Sequence, residues 1–468
     1  MMTESRLFKR GFTLILADVL ALLVGILNGF FLPKVFSIDG YAFFRTFTLY
    51  ATYAVVFSFG LTDGMYLLYG GKEEKQTDPA LTKAYYFFLL KMQALILLIL
   101  LLLSHFILKD DAFLYFSLFV LPLQSIHFFR LYYRALGEFK KYSVLQIGLV
   151  FFELLNTLLI VFYIRSEQPY LFIILKIINH TLIAIILTAV FLLKYKSEST
   201  VSLKREDALR LIKPGFVVML ADLLVAFVFS LDRWFVKLLF SQKDFAFYAF
   251  AVSILTLFVT LITSVANIFY SGIARKYEDS SYLNSLRSFA VVSSSFLPLS
   301  YFVLQAIIQW FLPAYSSALQ ILQVLVLMLP FAGVVLIVTN NLYKANRDVK
   351  RYITRMITIL VISFLLNLGA FLIWRTMLSI AAATLLAYVL WYVISFRDFP
   401  SSKKRVREVL YLSFSLSTYV LVQYTGLNWL VSFGLCLCIL GLTAFAFYRK
   451  EISLWMKVNG NSLEQEEK

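Results

Sequence analysis

Fourteen long apolar segments, separated by short polar stretches, fill most of the chain. Most of them contain the roughly 20 residues that an α-helix needs to cross the hydrocarbon core of a bilayer. The pattern therefore predicts an all-α polytopic membrane protein with 14 transmembrane helices. We place these helices near residues 11–33, 41–66, 82–107, 112–133, 142–164, 169–194, 212–238, 244–272, 284–311, 318–343, 350–374, 377–397, 407–424 and 428–448.

Two stretches of the chain repeat each other. Residues 7–47 and 211–251 align without a gap and share 15 identities in 41 positions. A shared Leu-Ala-Asp triplet contains Asp18 in the first copy and Asp222 in the second. Each copy opens a unit of six predicted helices, and an even number gives both units the same orientation in the membrane. The sequence thus predicts two parallel six-helix repeats followed by two C-terminal helices.

The repeat sets the predicted domain boundaries. An N-lobe of helices 1–6 spans residues 1–194, and a cytoplasmic linker spans residues 195–211. A C-lobe of helices 7–12 spans residues 212–400, and helices 13 and 14 span residues 401–450. Residues 451–468 form a cytoplasmic tail.

Composition and charge agree with this interpretation. The chain is 61% hydrophobic with a mean hydropathy of +0.81, whereas soluble domains are about 45–50% apolar. The net charge is +16, but the basic residues lie in short clusters between apolar segments, as the positive-inside rule requires. This distribution argues against nucleic-acid binding and places both termini in the cytoplasm. Cys436 and Cys438 lie inside an apolar segment without further ligands, so no metal site is predicted.

Asp18 and Asp222 lie about seven residues into helices 1 and 7. An ionisable side chain deep in a bilayer costs about 2.5–3.5 kcal/mol on insertion scales, so both are expected to face the bundle interior. In one interpretation they are ion-coupling carboxylates that face a central cleft and take a proton or Na⁺. In the other, each bonds to a neighbouring helix and has a structural role.

Two arginines are candidate substrate-binding residues. Arg45 lies early in helix 2 with Thr48 and Thr52 on the same helical face, which predicts a cation that lines a cavity. Arg233 follows Asp232 near the outer end of helix 7. These two residues either form an ion pair at the membrane interface or place Arg233 in an outward-facing cavity.

Glu153 in helix 5 and Lys176 in helix 6 fall at similar depth on consecutive antiparallel helices. The simplest interpretation is a buried ion pair that satisfies both charges within the N-lobe. The alternative is a proton relay that ends at His180, one helical turn beyond Lys176.

His127, Arg130 and Arg134 share one face at the cytoplasmic end of helix 4. Positive-inside anchoring explains the two arginines. The competing hypothesis is a phosphate-binding vestibule, because arginine binds phosphate through two parallel hydrogen bonds.

Five short segments follow one another in a characteristic order. They are FLPKVFSIDGY at 31–41, SFGL at 58–61, the basic hinge at 134–142, LDR at 231–233 and FYAFA at 247–251. In order and spacing they resemble the MATE-like exporter superfamily and, within it, the bacterial oligosaccharide (polysaccharide repeat-unit) flippases. The resemblance covers about residues 7–450.

The resemblance implies a V-shaped bundle of two six-helix lobes with alternating access in the bacterial inner membrane. The implied substrate is an undecaprenyl-diphosphate-linked oligosaccharide, moved to the outer leaflet with a coupling proton or Na⁺. A cationic cleft would suit the diphosphate, a role that the resemblance suggests for Arg45 and Arg233. Helix 1 has no arginine after Arg10, unlike the arginine-rich first helix of lipid II flippases, which favours the repeat-unit branch.

The expected partners are the lipid-linked glycan, membrane lipids, a polysaccharide polymerase and glycosyltransferases, and the chain is expected to be monomeric. A flippase makes and breaks no covalent bond, so no catalytic residue is predicted. The main alternative is a drug/cation antiporter of the same fold, with Asp18 and Asp222 as cation sites. A membrane-embedded glycan polymerase or transferase is disfavoured because every predicted outer loop is short.

Overall fold

The computed structural model describes residues 4–196, 201, 203–346, 348–398 and 405–466. These residues form helices and connecting turns, and no strand occurs among them. Contacts divide the chain into two compact units, residues 1–230 and residues 231–468, and the division falls within one long helix. The lobe boundaries derived from the repeat stay a prediction.

Eight helices begin in the first unit, and the last of them continues into the second. They are α1 Glu4–Val35, α2 Ile38–Thr52, α3 Leu61–Tyr69, α4 Pro79–Leu103, α5 Asp111–Ala135, α6 Phe139–Leu158, α7 Tyr170–Lys194 and α8 Arg205–Leu239.

The second unit contains ten further helices, several of which are short segments of one interrupted span. They are α9 Gln242–Arg275, α10 Ser280–Ser295, α11 Ser300–Phe311, α12 Ala318–Leu325, α13 Leu329–Val334, α14 Asn340–Ala345, α15 Val349–Trp374, α16 Met377–Ser395, α17 Arg405–Tyr424 and α18 Trp429–Glu466.

The helical membrane architecture predicted from the sequence is confirmed, and helices occur in each of the fourteen predicted segments, with turns interrupting segments 41–66 and 284–311. Within the described ranges, 11 helices are long and apolar enough to cross a membrane, or 12 if α2 and α3 form one bent span. In α1 the described apolar stretch is the shorter Val19–Val35. The count of fourteen spans and the cytoplasmic termini therefore stay predictions.

Short polar side chains fix where several helices begin. Asp110 accepts hydrogen bonds from the first backbone N–H groups of α5, and Asp279 does the same for α10. Thr376 accepts from the backbone N–H of Ser379 at the start of α16. Such caps satisfy N–H groups that have no partner within the helix. They explain why apolar runs that are nearly continuous in sequence divide into separate helices.

The span formed by α2 and α3 is bent by 61°. Phe59 and Gly60 both have left-handed backbone conformations at the bend, with φ of 48° and 79°. Glycine adopts this conformation without steric cost. The bend turns α3 toward the first half of α8.

Glycines let α3 and the first half of α8 meet through their backbones. A Cβ placed on Gly215 would lie 1.9 Å from the carbonyl oxygen of Gly60. A Cβ on Gly64 would lie 2.1 Å from the carbonyl oxygen of Leu211. Small residues permit such close approach between membrane helices. The contact also fixes the position of Asp63, the residue before Gly64.

An aromatic cluster forms much of the first unit's core. Tyr86 of α4, Phe128, Phe129 and Tyr132 of α5, and Phe191 of α7 are all buried. The ring of Tyr86 lies 5.0 Å from those of both Phe128 and Phe129, in tilted arrangements. Aromatic pairs favour such tilted geometries over face-to-face stacking. The cluster holds α4, α5 and α7 together beside the polar residues described below.

A polar cluster joins the α3–α4 connection to the ends of α6 and α7. Glu74 accepts hydrogen bonds from Lys194 and from the hydroxyl of Tyr195, the latter at 2.7 Å. The Nζ of Lys141 lies 3.5 Å from the same carboxylate. Burial alone would raise the pKa of Glu74, but these hydrogen bonds and lysine charges outweigh it and lower the pKa below its ordinary value of 4.5.

Candidate functional site

The centre of the first unit contains an ion pair between consecutive helices. The Nζ of Lys176 on α7 lies 2.8 Å from both carboxylate oxygens of Glu153 on α6. Asn28 of α1 donates to Glu153 at 3.3 Å and accepts from the hydroxyl of Thr157 at 2.5 Å. Each charge thus has a partner, as a low-dielectric interior requires. Three helices, α1, α6 and α7, share this network.

The network continues along the same two helical faces. Asn179 donates to the side-chain oxygen of Asn156 at 3.0 Å. The Nδ1 of His180 lies 2.8 Å from the backbone oxygen of Lys176. Residues three and four apart share a helical face, so the spacing of Lys176, Asn179 and His180 places all three toward α6. His180 also lies at the border of a cavity.

A cavity of about 180 Å³ lies next to this network, among α2, α5, α6 and α7. Gln124, His127 and Arg130 of α5 and His180 of α7 provide much of its polar lining. A water molecule occupies about 30 Å³ of liquid, so the space admits several waters or a small polar group. The remaining lining residues are Ala51, Thr52, Ala54, Val55, Leu123, Ile126 and Leu149.

Two buried polar side-chain atoms at the cavity have no hydrogen-bond partner within the described ranges. Gln124 is 1% exposed and donates to the backbone oxygen of Ala54, but its Oε1 has no hydrogen-bond partner among the described residues. The buried Nε2 of His127 also has no partner there. In the part of the chain that the structure describes, no carboxylate forms a salt bridge with Arg130. Its positive charge is close enough to His180 to disfavour a second positive charge there. Unpaired buried polar atoms are costly, and here they mark a place that can take a polar ligand, with the Gln124 Oε1 accepting from a donor.

The structure separates the two arginines of α5. Arg130 lines the cavity, whereas Arg134 is exposed at the end of the helix. The Arg134 guanidinium lies 6.0 Å from the ring centre of Tyr66 and 5.8 Å from that of Tyr142. Cation–π contacts of this kind orient an arginine without neutralising it. Arg134 is thus placed near the helix end and not in the cavity.

Arg45 is partly engaged within its own helix. Its Nε donates to the hydroxyl of Tyr41 at 2.6 Å, and its guanidinium lies 4.8 Å from the Tyr41 ring centre. The hydroxyls of Thr48 and Thr52 bond to backbone oxygens one turn earlier. The predicted polar stripe is therefore satisfied largely inside α2. Thr52 also borders the cavity.

Arg233 belongs to the second unit, next to a buried carboxylate. Asp232 is 7% exposed and accepts hydrogen bonds from the hydroxyl of Tyr248 and from the backbone N–H of Arg233, both at 2.8 Å. The positive charge of Arg233 acts on Asp232 as well. The ion pair and the cavity-lining role of Arg233 both stay predictions.

A carboxylate that sequence reasoning missed lies on α3. Asp63 is 5% exposed, and its Oδ2 has no hydrogen-bond partner in the described part of the chain. The negative charge of Asp222 on α8 repels that of the Asp63 carboxylate. Asp222 itself is exposed. The side chain of Asp18 lies outside the described residues. Asp63 sits between Gly60 and Gly64, at which α3 meets α8.

A second buried ion pair, also missed, lies in the second unit. Arg287 of α10 donates from Nε and Nη2 to both carboxylate oxygens of Glu408 on α17, at 2.8–3.1 Å. The hydroxyl of Tyr392 on α16 donates to the same carboxylate at 2.5 Å. The pair joins helices 121 residues apart in sequence, so no spacing rule could have found it.

Metal binding has no visible basis in the described ranges, where no group of three or more His, Cys, Asp or Glu residues could hold an ion. Cys436 is buried and Cys438 exposed, and neither forms a disulfide.

Comparison with solved structures identifies the fold. The lipid II flippase MurJ, in an inward closed conformation, superposes with a TM-score of 0.68 at 18% sequence identity, covering 95% of this chain and 100% of MurJ. The chain has the MurJ and MATE transporter fold. The Vibrio cholerae MATE transporter VcmN matches with a TM-score of 0.55 at 14% identity, covering 84% of this chain and 95% of VcmN.

A multidrug resistance MATE family transporter of the MOP superfamily, in an inward-facing conformation, matches with a TM-score of 0.52 at 12% identity. That alignment covers 82% of this chain and 98% of the transporter. No family model and no curated protein sequence matches the chain. The resemblance to the MATE-like exporter superfamily, predicted from five short segments, is thus confirmed at the level of the fold.

Proposed function

We propose that this protein is a flippase that moves undecaprenyl-diphosphate-linked oligosaccharide across the bacterial inner membrane by alternating access. The observation that carries the proposal is the full-length match to a lipid II flippase, with a TM-score of 0.68 against 0.52–0.55 for two MATE transporters. Transport of this kind forms no covalent bond, so the protein needs binding residues and no catalytic ones. The predicted 14 spans, cytoplasmic termini and monomeric state belong to the same proposal, as do a polymerase and glycosyltransferases as partners.

Arg130 is the residue that we assign first to the diphosphate. It presents a cation without a carboxylate partner among the described residues, in a cavity that also contains the unpartnered Nε2 of His127. Arginine and imidazole N–H groups are good donors to phosphate oxygens. A cavity of about 180 Å³ suits the diphosphate and excludes the glycan. Arg45, Arg134 and Arg233 are assigned as further cationic contacts along the path.

Coupling to a proton or Na⁺ is assigned to Asp63 and Asp222, with Asp18 as a third candidate. A buried carboxylate oxygen without a donor is costly inside a membrane unless it takes a proton or a cation. Asp63 meets this description. The negative charge of Asp222 adds repulsion that a bound proton or cation would relieve. Binding of the ion at this point would bias the equilibrium between two conformations.

Surface glycan in cells that depend on this gene tests the proposal. Arg130→Gln should lower export at least tenfold while membrane insertion stays normal, because the variant removes the cavity's cation and keeps a polar side chain. Arg165→Gln is the matched control, since Arg165 is an exposed arginine in the α6–α7 connection. Export by Arg130→Gln at the wild-type level would remove the cavity from the transport path.

A drug/cation antiporter is the second candidate, and the carboxylates of Asp63 and Asp222 favour it. Paired acids can hold an organic cation, and two of the similar structures are MATE transporters. Efflux of a fluorescent organic cation from cells with and without the gene separates the two functions. A flippase should leave efflux unchanged, whereas an antiporter should raise it.

A further inference from the structure

A long apolar groove runs along the outer surface of the second unit, between α15 and α16. It encloses about 630 Å³. Small residues leave the space, and larger aliphatic side chains and Trp374 form its walls. The lining residues are Leu365, Leu366, Gly369, Ala370, Ile373, Trp374, Thr376, Leu378, Ser379, Ala382, Ala383 and Leu386.

The length of the groove matches one leaflet of a bilayer. On α15 it extends from Leu365 to Trp374, ten residues whose first and last Cα atoms lie about 14 Å apart along an α-helix. The hydrocarbon core is about 30 Å thick, so one leaflet is about 15 Å deep. The groove ends at the α15–α16 turn, which the sequence places at the outer face of the membrane. It therefore covers the depth of one outer-leaflet chain.

A cation stands at the end of the groove. Arg375, in the turn between Trp374 and Thr376, is exposed and has a left-handed backbone with φ of 50°. Its guanidinium lies 5.9 Å from the ring centre of Phe371. Among the residues that the structure describes, no carboxylate forms a salt bridge with Arg375. A cation at the headgroup level above an apolar groove complements an anionic lipid.

The groove's walls and charge favour a lipid chain as the occupant. A flexible hydrocarbon chain is narrower than a helix, which is about 10–12 Å wide with its side chains, and it can follow the groove. The apolar lining and the single cation of Arg375 at one end fit an anionic lipid.

We propose that this groove binds one acyl chain of an anionic phospholipid, with the headgroup phosphate at Arg375. The groove shares no lining residue with the cavity around Arg130 and does not depend on the transported substrate. Its consequence is a preference for anionic lipid at one position of the protein surface.

Gly369 gives a clean way to close the groove. A Cβ placed there meets nothing within 4 Å, so the side chain of Gly369→Leu starts in open space and extends into the groove. Gly441 on α18 is also open to this distance, and Gly441→Leu is the matched control away from the groove. Neither substitution changes the charge, so general attraction of anionic lipid to a basic protein stays the same.

Quenching of Trp374 fluorescence by brominated lipid measures binding. The full-length protein is reconstituted in vesicles of phosphatidylcholine and phosphatidylglycerol, one of which is dibrominated, and the same titration with Trp374→Phe is subtracted. Brominated phosphatidylglycerol should half-quench Trp374 at a mole fraction at least threefold lower than brominated phosphatidylcholine. Gly369→Leu and Arg375→Gln should abolish this difference, and Gly441→Leu should keep it. Equal quenching by the two lipids in the wild type, or an undiminished preference in Gly369→Leu, would overturn the proposal.

Discussion

The two units each contain an ion pair between helices, and the pairs differ in what surrounds them. Glu153 and Lys176 retain 18–20% exposure of their side chains, and Lys176 lies one helical turn from His180, which lines the cavity. Arg287 and Glu408 are each 6% exposed, and Tyr392 and Phe396 cover them. The first pair leaves polar groups within reach of a ligand. In the second pair, Nε and Nη2 of Arg287 bond the Glu408 carboxylate across two helices, so its expected role is stability.

The largest expected effect is loss of the second pair. Glu408→Gln leaves the Arg287 charge buried without its counter-charge, which costs about 3–5 kcal/mol when a buried pair loses one partner. Thermal unfolding of the purified protein should show a clear decrease in the midpoint temperature. The double variant Arg287→Met with Glu408→Leu should recover much of the loss, because an apolar pair carries no desolvation cost. A single variant as stable as the wild type would show that the pair does not hold α10 to α17.

Loss of the first pair should affect export more and stability less. Lys176→Met is expected to cost less stability, about 1–3 kcal/mol, because Glu153 keeps its bond from Asn28 and some contact with solvent. Glycan export should also decrease, and by more than the loss of folded protein explains, because the network borders the cavity at His180. Export and unfolding are measured on the same variant. A stability loss equal to that of Glu408→Gln would remove the distinction between the two pairs.

The contact between α3 and α8 positions Asp63, so a substitution there should affect both stability and export. Gly64→Ala places a methyl group 2.1 Å from the carbonyl oxygen of Leu211, so the helices must separate. Overpacking of this kind costs about 1–3 kcal/mol, and export should fall through displacement of Asp63. Gly148→Ala is the control, because a Cβ there meets nothing within 4 Å. Unchanged stability and export in Gly64→Ala would contradict the close contact.

The smallest effect is expected at Glu74, outside the membrane. Its pKa is lowered on folding, so its stabilising contribution is present above the ordinary value of 4.5 and is lost as the pH falls through the lowered folded pKa. At neutral pH, Glu74→Gln should cost at most about 1 kcal/mol, as partly exposed ion pairs contribute little. Below the folded pKa the two proteins should become equally stable. A constant difference at every pH would show that the carboxylate charge is not involved.

Local patterns predicted much of the fold and part of the site. Hydrophobic length located the helices, and the spacing of residues within α6 and α7 placed Glu153 opposite Lys176. Both inferences work because they depend on residues close together in the sequence or on helices that follow one another in the chain. The assignment of Arg130 and Arg134 to one helical face was also available, but only the packing of α5 separates the cavity residue from the exposed one.

Contacts between distant segments were not predictable. Arg287 and Glu408 come from helices far apart in the chain, and each alone resembles an ordinary residue at a membrane interface. Asp63 was overlooked because it lies near the end of an apolar run, where a carboxylate attracts no notice. Its burial follows from the bend at Phe59 and Gly60 and from the approach of Gly215, which only the three-dimensional arrangement shows.

Movement of lipid-linked oligosaccharide by the purified protein in vesicles tests the central claim most directly. A fluorescent undecaprenyl-diphosphate oligosaccharide is placed in the inner leaflet, and its arrival outside is followed with a membrane-impermeant quencher. The wild type should move the lipid many times faster than protein-free vesicles, and Arg130→Gln should lose most of that rate while Arg165→Gln keeps it. A wild-type rate equal to that of protein-free vesicles, with an imposed proton or Na⁺ gradient present, would contradict the flippase assignment.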